Sequence, residues 1–203
     1  MKNTINKVLL VAASIITTNA MALTRGQEST QALAQSAERI QALSQRADEL
    51  MKAGANLDDK DAEGKTLIMR IVDSLYPVKE SFINYRDYIA FFNDFIPNTI
   101  IYWDPYSDSG EAASNNLSTL KATLESAKNS IDLLIKNGAS VATTDNSKVT
   151  AWQRGLNKSY LDFIRILNER VNHDVAARQQ YSPLYQIARD IALIIGTPVN
   201  LVP

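Results

Sequence analysis

The chain has 203 residues, of which 45% are hydrophobic and 21% are charged, a composition typical of a globular domain. It contains no cysteine and a single histidine, His173, which excludes disulfide scaffolds, cysteine nucleophiles, zinc fingers and mechanisms that need two histidines. The chain has 21 lysines and arginines and 22 aspartates and glutamates, which gives a net charge of -1. This charge creates no overall electrostatic field to attract nucleic acid or an anionic membrane.

The first 22 residues have the pattern of a cleaved secretory signal peptide. Lys2 and Lys7 form a short basic region, residues 8–16 are apolar, and Ala20-Met21-Ala22 places small residues at both specificity positions of a cleavage site. The apolar run is about half of the ~20 residues needed to span a bilayer, so we expect no membrane anchor; an uncleaved hydrophobic helix is the alternative. We predict cleavage after Ala22 and export of residues 23–203 to the periplasm or the medium.

Residues 27–53 are predicted to form an N-terminal capping helix. They are rich in Ala, Gln, Glu, Arg and Leu and contain neither Pro nor Gly. Apolar residues recur at spacings of three, four and seven, which places them on one face: Leu33, Ile40, Leu43, Ala47, Leu50 and Met51. That face must pack on the rest of the domain, and Gly54 can end the helix.

A Gly-Ala turn occurs twice, followed at the same spacings by the same residue types. In both copies an aspartate follows seven residues after the glycine and a threonine twelve residues after it. The first copy is Gly54, Asp61 and Thr66, and the second is Gly138, Asp145 and Thr150. Each copy has the pattern of a helix end, a short polar hairpin and a helix capped by threonine. The matched spacing indicates an internal repeat.

These segments resemble the ankyrin repeat, whose units run through a Gly-Ala hairpin, a Thr-Pro-Leu-His helix start and a second helix that ends in Leu-Leu. The resemblance covers roughly residues 50–74 and 131–190. Both threonines lack the following Pro and His, and a third copy at Ser182-Pro183-Leu184 has Arg170 where the hairpin glycine belongs. The resemblance implies an all-α fold, a short helical solenoid that binds proteins through hairpin tips and a concave helical surface without catalysing a reaction.

Gly54 and Gly138 lie 84 residues apart, whereas an ankyrin period is about 33 residues. We therefore predict a helical, aromatic-rich insertion at about residues 76–116. The single domain, residues 23–203, then comprises a capping helix at 27–53, an interrupted repeat at 54–137, a repeat at 138–170 and a degenerate capping repeat at 171–203. Within the second repeat, Trp152 is expected to fill the core between repeats and Gly155 to allow a close helix approach.

Ten of the chain's fifteen aromatic residues lie between positions 76 and 106. Residues 80–95 are predicted to be helical, with two adjacent apolar stripes, of which one can pack on the repeats. Tyr102, Trp103 and Tyr106 follow in a predicted loop with prolines. Burial in the core and contact with a partner remain open for these three residues, and we take them as candidate partner contacts because Trp and Tyr dominate binding hot spots.

Asp58, Asp59 and Asp61 form an acidic run in the first hairpin. Paired carboxylates can act as general acid and base or hold a hard cation. Hairpin tips of ankyrin-like proteins are solvated and often contact partners, so we take these three aspartates as candidate partner contacts. The sequence has neither a phosphate-binding glycine loop nor a glycine-flanked serine elbow. We predict no enzyme, and therefore no catalytic residue, cofactor or metal.

The sequence thus predicts an exported protein–protein interaction module. Its expected partner is another exported protein, which it inhibits as an immunity protein does, or which it stabilises; a nucleic-acid partner is not expected. One alternative is a carbohydrate- or cell-wall-active enzyme with paired carboxylates, in which Tyr102 and Trp103 would stack on sugar. Another is a structural protein that associates with itself.

Overall fold

The computed structural model describes residues 31, 33–75, 111–155, 158–173, 175–198, 200 and 202. Its helices are α1 (33–52), α2 (Leu67–Ser74), α3 (Glu111–Lys136), α4 (Ala151–Gly155), α5 (Lys158–His173) and α6 (Val175–Ile194). The described residues contain no strand, apart from an isolated bridge between Thr144 and Thr150. The predicted all-α class is confirmed for this part of the chain. The signal pattern and most of the aromatic insertion lie outside it.

Helix α1 lies within the predicted capping helix and packs on α3. Leu33, Ile40 and Ala47 are buried, as the apolar spacing predicts. A polar contact fixes the two helices to each other, because the Ser44 hydroxyl shares a 2.7 Å hydrogen bond with the Ser130 hydroxyl. The helix that precedes the first Gly-Ala turn is thus tied to the helix that precedes the second.

Helices α1, α3 and α6 end in the same glycine cap. In each, the N–H of the glycine donates to the carbonyl three residues back, and the next N–H donates to the carbonyl five residues back. The cap glycines are Gly54, Gly138 and Gly196, with φ of 61°, 100° and 91°. This is the Schellman type of cap, in which the glycine takes a left-handed conformation. The same cap therefore ends three of the described helices.

Helix α6 differs from the sequence-based pattern, which begins a helix at Ser182. The helix begins at Val175, so Ser182 and Pro183 lie inside it, and Arg170 lies in α5 rather than in a hairpin. The apolar face explains the difference: Tyr181, Leu184, Ala188, Ile191 and Ala192 are all buried, which needs one continuous helix. Pro183 faces outward, where water can bind the backbone carbonyl that its missing N–H leaves unpaired.

Helix packing forms two neighbouring sets. Helix α3 lies between α1 and α6, while α2 packs on α4 and also contacts α3. Helix α5 packs mainly on α6, and the buried Tyr160 hydroxyl donates a 2.9 Å hydrogen bond to the Ala188 carbonyl. Burial raises the pKa of Tyr160, so the phenol stays protonated.

The predicted close approach at Gly155 is confirmed. A Cβ atom there would lie 2.9 Å from Ile195 Cδ1 and 3.2 Å from Val72 Cγ1. Trp152, on the same helix, is partly buried against the core. Helix α4 therefore lies directly against α2 and the end of α6. Within the described ranges, no helix is both long and apolar enough to cross a membrane.

Candidate functional site: the paired hairpin loops

Residues 55–66 and 139–150, which we call hairpin 1 and hairpin 2, share the hydrogen bonds around their central aspartate. In hairpin 1, Asp61 Oδ1 accepts from the N–H groups of Glu63 (2.8 Å) and Lys65 (3.0 Å). In hairpin 2, Asp145 Oδ1 accepts in the same way from Ser147 (2.8 Å) and Val149 (2.9 Å). The equal spacing found in the sequence therefore corresponds to equal local geometry.

Each hairpin aspartate also pairs with an arginine nine residues later. Arg70 Nε donates to Asp61 Oδ2, and Arg154 Nη2 donates to Asp145 Oδ2. We did not single out either arginine in the sequence, although both occur sixteen residues after their cap glycine. The pKa of the Asp61 carboxyl is lowered mainly by the hydrogen bond from the Lys65 N–H, and that of the Asp145 carboxyl mainly by the hydrogen bond from the Val149 N–H. The paired arginines lower both pKa values further.

Two polar contacts join hairpin 1 and the helix after it, α2, to hairpin 2 and the helix after it, α4. Asp58 Oδ1 accepts a 2.8 Å hydrogen bond from the backbone N–H of Ser140. Arg154 Nη1 donates to both carboxylate oxygens of Asp73, at 3.3 and 3.2 Å. Lys65 Nζ lies 2.9 Å from the same Asp73 carboxylate, which extends the network into hairpin 1. The two loops are therefore held in a fixed relation to each other.

The side chains of the two Asp–Arg pairs differ in their exposure to solvent. The Asp145 side chain is 2% exposed and that of Arg154 is 22% exposed, whereas the values for Asp61 and Arg70 are 29% and 40%. Because Arg154 contacts Asp73 of the first unit, the pair in hairpin 2 is covered from that side. Among the residues that the structure describes, no such contact covers the Asp61–Arg70 pair from the equivalent side.

The predicted partner contacts have different environments. Asp58 is engaged in the contact between the hairpins, and Asp61 supports the turn of its own hairpin. Asp59 is exposed at the tip, where its carboxylate accepts a 2.8 Å hydrogen bond from the Asn56 side chain. Of the three, Asp59 is the aspartate whose side chain is most available to another molecule. Tyr102, Trp103 and Tyr106 lie outside the described residues.

Lys148 provides a test of the equivalence between the hairpins. It has φ of 60° at the position that Gly64 occupies in hairpin 1, where φ is 75°. This conformation costs an L-residue about 1–2 kcal/mol, more than the ~0.5–1 kcal/mol that glycine costs through backbone entropy. Lys148→Gly is therefore expected to stabilise the chain by about 0.5 kcal/mol in urea unfolding.

The control for this substitution is Lys60→Gly, since Lys60 is also an exposed hairpin lysine but does not have a positive φ. That variant should be less stable than the wild type because only the entropy cost remains. A loss of stability in Lys148→Gly equal to that in Lys60→Gly would show that hairpin 2 does not hold the left-handed turn.

The chemistry of the hairpins is suited to recognition by ionised and hydrogen-bonding groups. Among the described residues, no cluster of three His, Cys, Asp or Glu side chains could hold a metal ion. The exposed tips carry charges of both signs, including Asp59, Lys60 and Lys148.

Comparisons with protein-family models, curated proteins and solved structures found no match to this chain.

Proposed function

We propose that this chain is an exported, ankyrin-like helical solenoid that binds another exported protein and either inhibits or stabilises it. The observation that carries the proposal is the coupling of the two hairpins. Because Asp58 bonds to Ser140 and Arg154 bonds to Asp73, the loop tips keep one arrangement relative to each other. Loops positioned by a rigid helical scaffold are typical binding elements.

The exposed residues at the tips form the surface that we assign to partner contact. Asp59, Lys60 and Glu63 are exposed on hairpin 1, and Asn146 and Lys148 are exposed on hairpin 2. A loop already fixed in its bound geometry loses less conformational entropy when it binds, which favours affinity. The mixed charges support recognition of a folded protein surface rather than of a uniformly charged polymer.

Tyr102, Trp103 and Tyr106 are the second part of the proposed binding surface. Their residue types are those that contribute most at protein interfaces, where large aromatic groups fill pockets on the partner. An aromatic loop that enters a cleft would block an enzyme's active site, which favours the inhibitory form of the function over the stabilising form.

The alternative of a carboxylate-dependent enzyme finds less support in the hairpins. A general acid needs a carboxyl group whose pKa is raised. Here the Lys65 ammonium, followed by the Arg70 guanidinium, lowers the pKa of the Glu63 carboxyl, and backbone N–H groups lower those of Asp61 and Asp145. These groups are therefore ionised at neutral pH and act as hydrogen-bond acceptors.

A pull-down from the envelope fraction of the source cell tests the proposed function. We expect the mature wild-type chain to capture one protein. Capture should be lost in the Tyr102→Ala, Trp103→Ala, Tyr106→Ala triple variant and weakened at least severalfold in an Asp59→Ala, Lys60→Ala variant, because each removes tip contacts. Circular dichroism must show that both variants remain helical.

The matched control is a Lys121→Ala, Glu125→Ala variant, which alters an exposed ion pair on α3 away from the hairpins. This variant should capture the protein as well as the wild type does. The proposal fails if the wild type captures nothing, or if both binding-surface variants capture as much as the control.

A further inference from the structure

Two carboxylates in residues 55–75 accept hydrogen bonds from residues 139–154. The Ser140 N–H donates to Asp58, and the Arg154 guanidinium donates to Asp73. One of these donors is an uncharged backbone group, and the other is a charged side chain at the start of α4.

The residues 84 positions earlier, Asn56 and Arg70, supply the same types of donor, although Arg70 pairs with its hairpin aspartate through Nε and Arg154 through Nη2. Within the described part of the chain, neither the Asn56 N–H nor Arg70 Nη1 has a hydrogen-bond partner. Arg70 Nε pairs with Asp61, and Arg70 Nη2 lies 3.6 Å from Glu63. Asn56 is exposed, and the Arg70 side chain is 40% exposed. We call this pair of donors the outer edge of hairpin 1.

Building on the protein-binding function proposed above, we propose that the outer edge binds a segment of the partner that presents two carboxylates. One carboxylate would accept from the Asn56 N–H and the other from Arg70 Nη1, as Asp58 and Asp73 do at hairpin 2. Charge-assisted bonds of this kind are about twice as strong as neutral ones. The contact would continue the arrangement that already joins the two hairpin units.

The surrounding charges limit the kind of segment that fits. Asp59, Asp61 and Glu63 lie close to the outer edge in sequence, so a uniformly acidic segment would be repelled. The two carboxylates must therefore be flanked by neutral or basic residues. A second copy of this chain stacked head to tail does not meet the requirement, because Ala142 and Asn157 occupy the positions equivalent to Asp58 and Asp73.

The test uses the complete mature chain and a synthetic peptide, acetylated and amidated at its ends, with the sequence of residues 55–75. In the peptide, Asp59→Asn, Asp61→Asn and Glu63→Gln leave Asp58 and Asp73 as the only carboxylates, flanked by neutral or basic residues. In ¹H–¹⁵N NMR spectra, millimolar peptide should shift the Asn56 amide signal and the Arg70 Nε–H signal. The same peptide with Asp58→Asn and Asp73→Asn in addition should bind roughly tenfold more weakly, because a neutral amide oxygen is a weaker acceptor than a carboxylate oxygen for both donors.

Arg70→Gln in the protein should weaken binding of the acidic peptide to a similar extent, whereas Arg165→Gln, at an exposed arginine on α5, should leave it unchanged. The proposal is overturned if the Asn56 signal does not move, or if the acidic and amide peptides bind equally. Since this measurement needs no natural partner, it is independent of the pull-down. Protein capture together with a negative peptide result would remove only the carboxylate assignment.

Discussion

Replacing Arg154 with glutamine is expected to destabilise the fold by about 2 kcal/mol, the scale of hydrogen bonds to charged groups. Arg154, on α4, pairs with two carboxylates, Asp145 in hairpin 2 and Asp73 on α2. The Asp145 side chain is almost fully buried, so glutamine would leave its charge without a cation. For a chain of this size the loss corresponds to a fall in Tm of about 4–8 °C, measured by thermal circular dichroism.

The control is Arg70→Gln, the equivalent substitution in hairpin 1. Its ion pair with Asp61 is much more exposed, so water replaces the lost interaction and the destabilisation should be clearly smaller. Equal losses of stability in Arg154→Gln and Arg70→Gln would contradict the coupling of the hairpins.

The contribution of Asp145 to stability should also depend on pH. Because hydrogen bonds lower the pKa of Asp145, its stabilising effect is complete above the unfolded-state pKa of about 3.9. The effect disappears as the pH falls through the folded-state pKa.

Replacing Gly155 with leucine should destabilise the chain by about 1–3 kcal/mol, the usual range for overpacked cores. The first added carbon would already lie 2.9 Å from Ile195 Cδ1, and the remaining atoms would displace α4 from α2. The free energy of unfolding in urea measures the effect.

Two further variants separate crowding from helix propensity. Gly155→Ala should change stability little, because better helix propensity offsets the short contact. Combining it with Ile195→Val, which removes Cδ1, should make the alanine more favourable than it is in the wild-type background. If Gly155→Leu proves as stable as the wild type, the close approach of α4 is wrong.

The hairpins could be predicted from sequence because their geometry depends on neighbouring residues. An aspartate that accepts N–H groups two and four residues ahead, and a glycine that ends a helix, act over a few positions. Gly54 and Asp61 therefore indicate the same structure as Gly138 and Asp145. Helix α1 was likewise visible in the spacing of Leu33, Ile40 and Ala47, since one face is buried.

The long helix α6 could not be derived in this way. Proline is common in the first turn of a helix, and the resemblance to the ankyrin helix start places Pro183 there. The burial of Tyr181 and Leu184 against other helices outweighs the missing hydrogen bond of the proline. The stabilisation of α6 comes from tertiary contacts, which the local sequence pattern does not show.

The candidate site was predicted by residue type but not by role. Asp58, Asp59 and Asp61 look alike as an acidic run, yet one joins the hairpins, one is exposed and one supports the turn. Their roles depend on Ser140 and Arg70, and Ser140 lies 82 residues from Asp58. Only the folded arrangement distinguishes a carboxylate that is already engaged from one that is open to a partner.

Site-specific photo-crosslinking in the source cell tests partner binding by the hairpins most directly. A photoreactive residue would replace Asp59 on hairpin 1, Asn146 on hairpin 2 or, as the control, Lys121 on α3. We predict that both tip positions crosslink to one and the same protein and that position 121 does not. The absence of crosslinks from both tips, or equal crosslinking from position 121, would contradict the assignment of the hairpins as the binding surface.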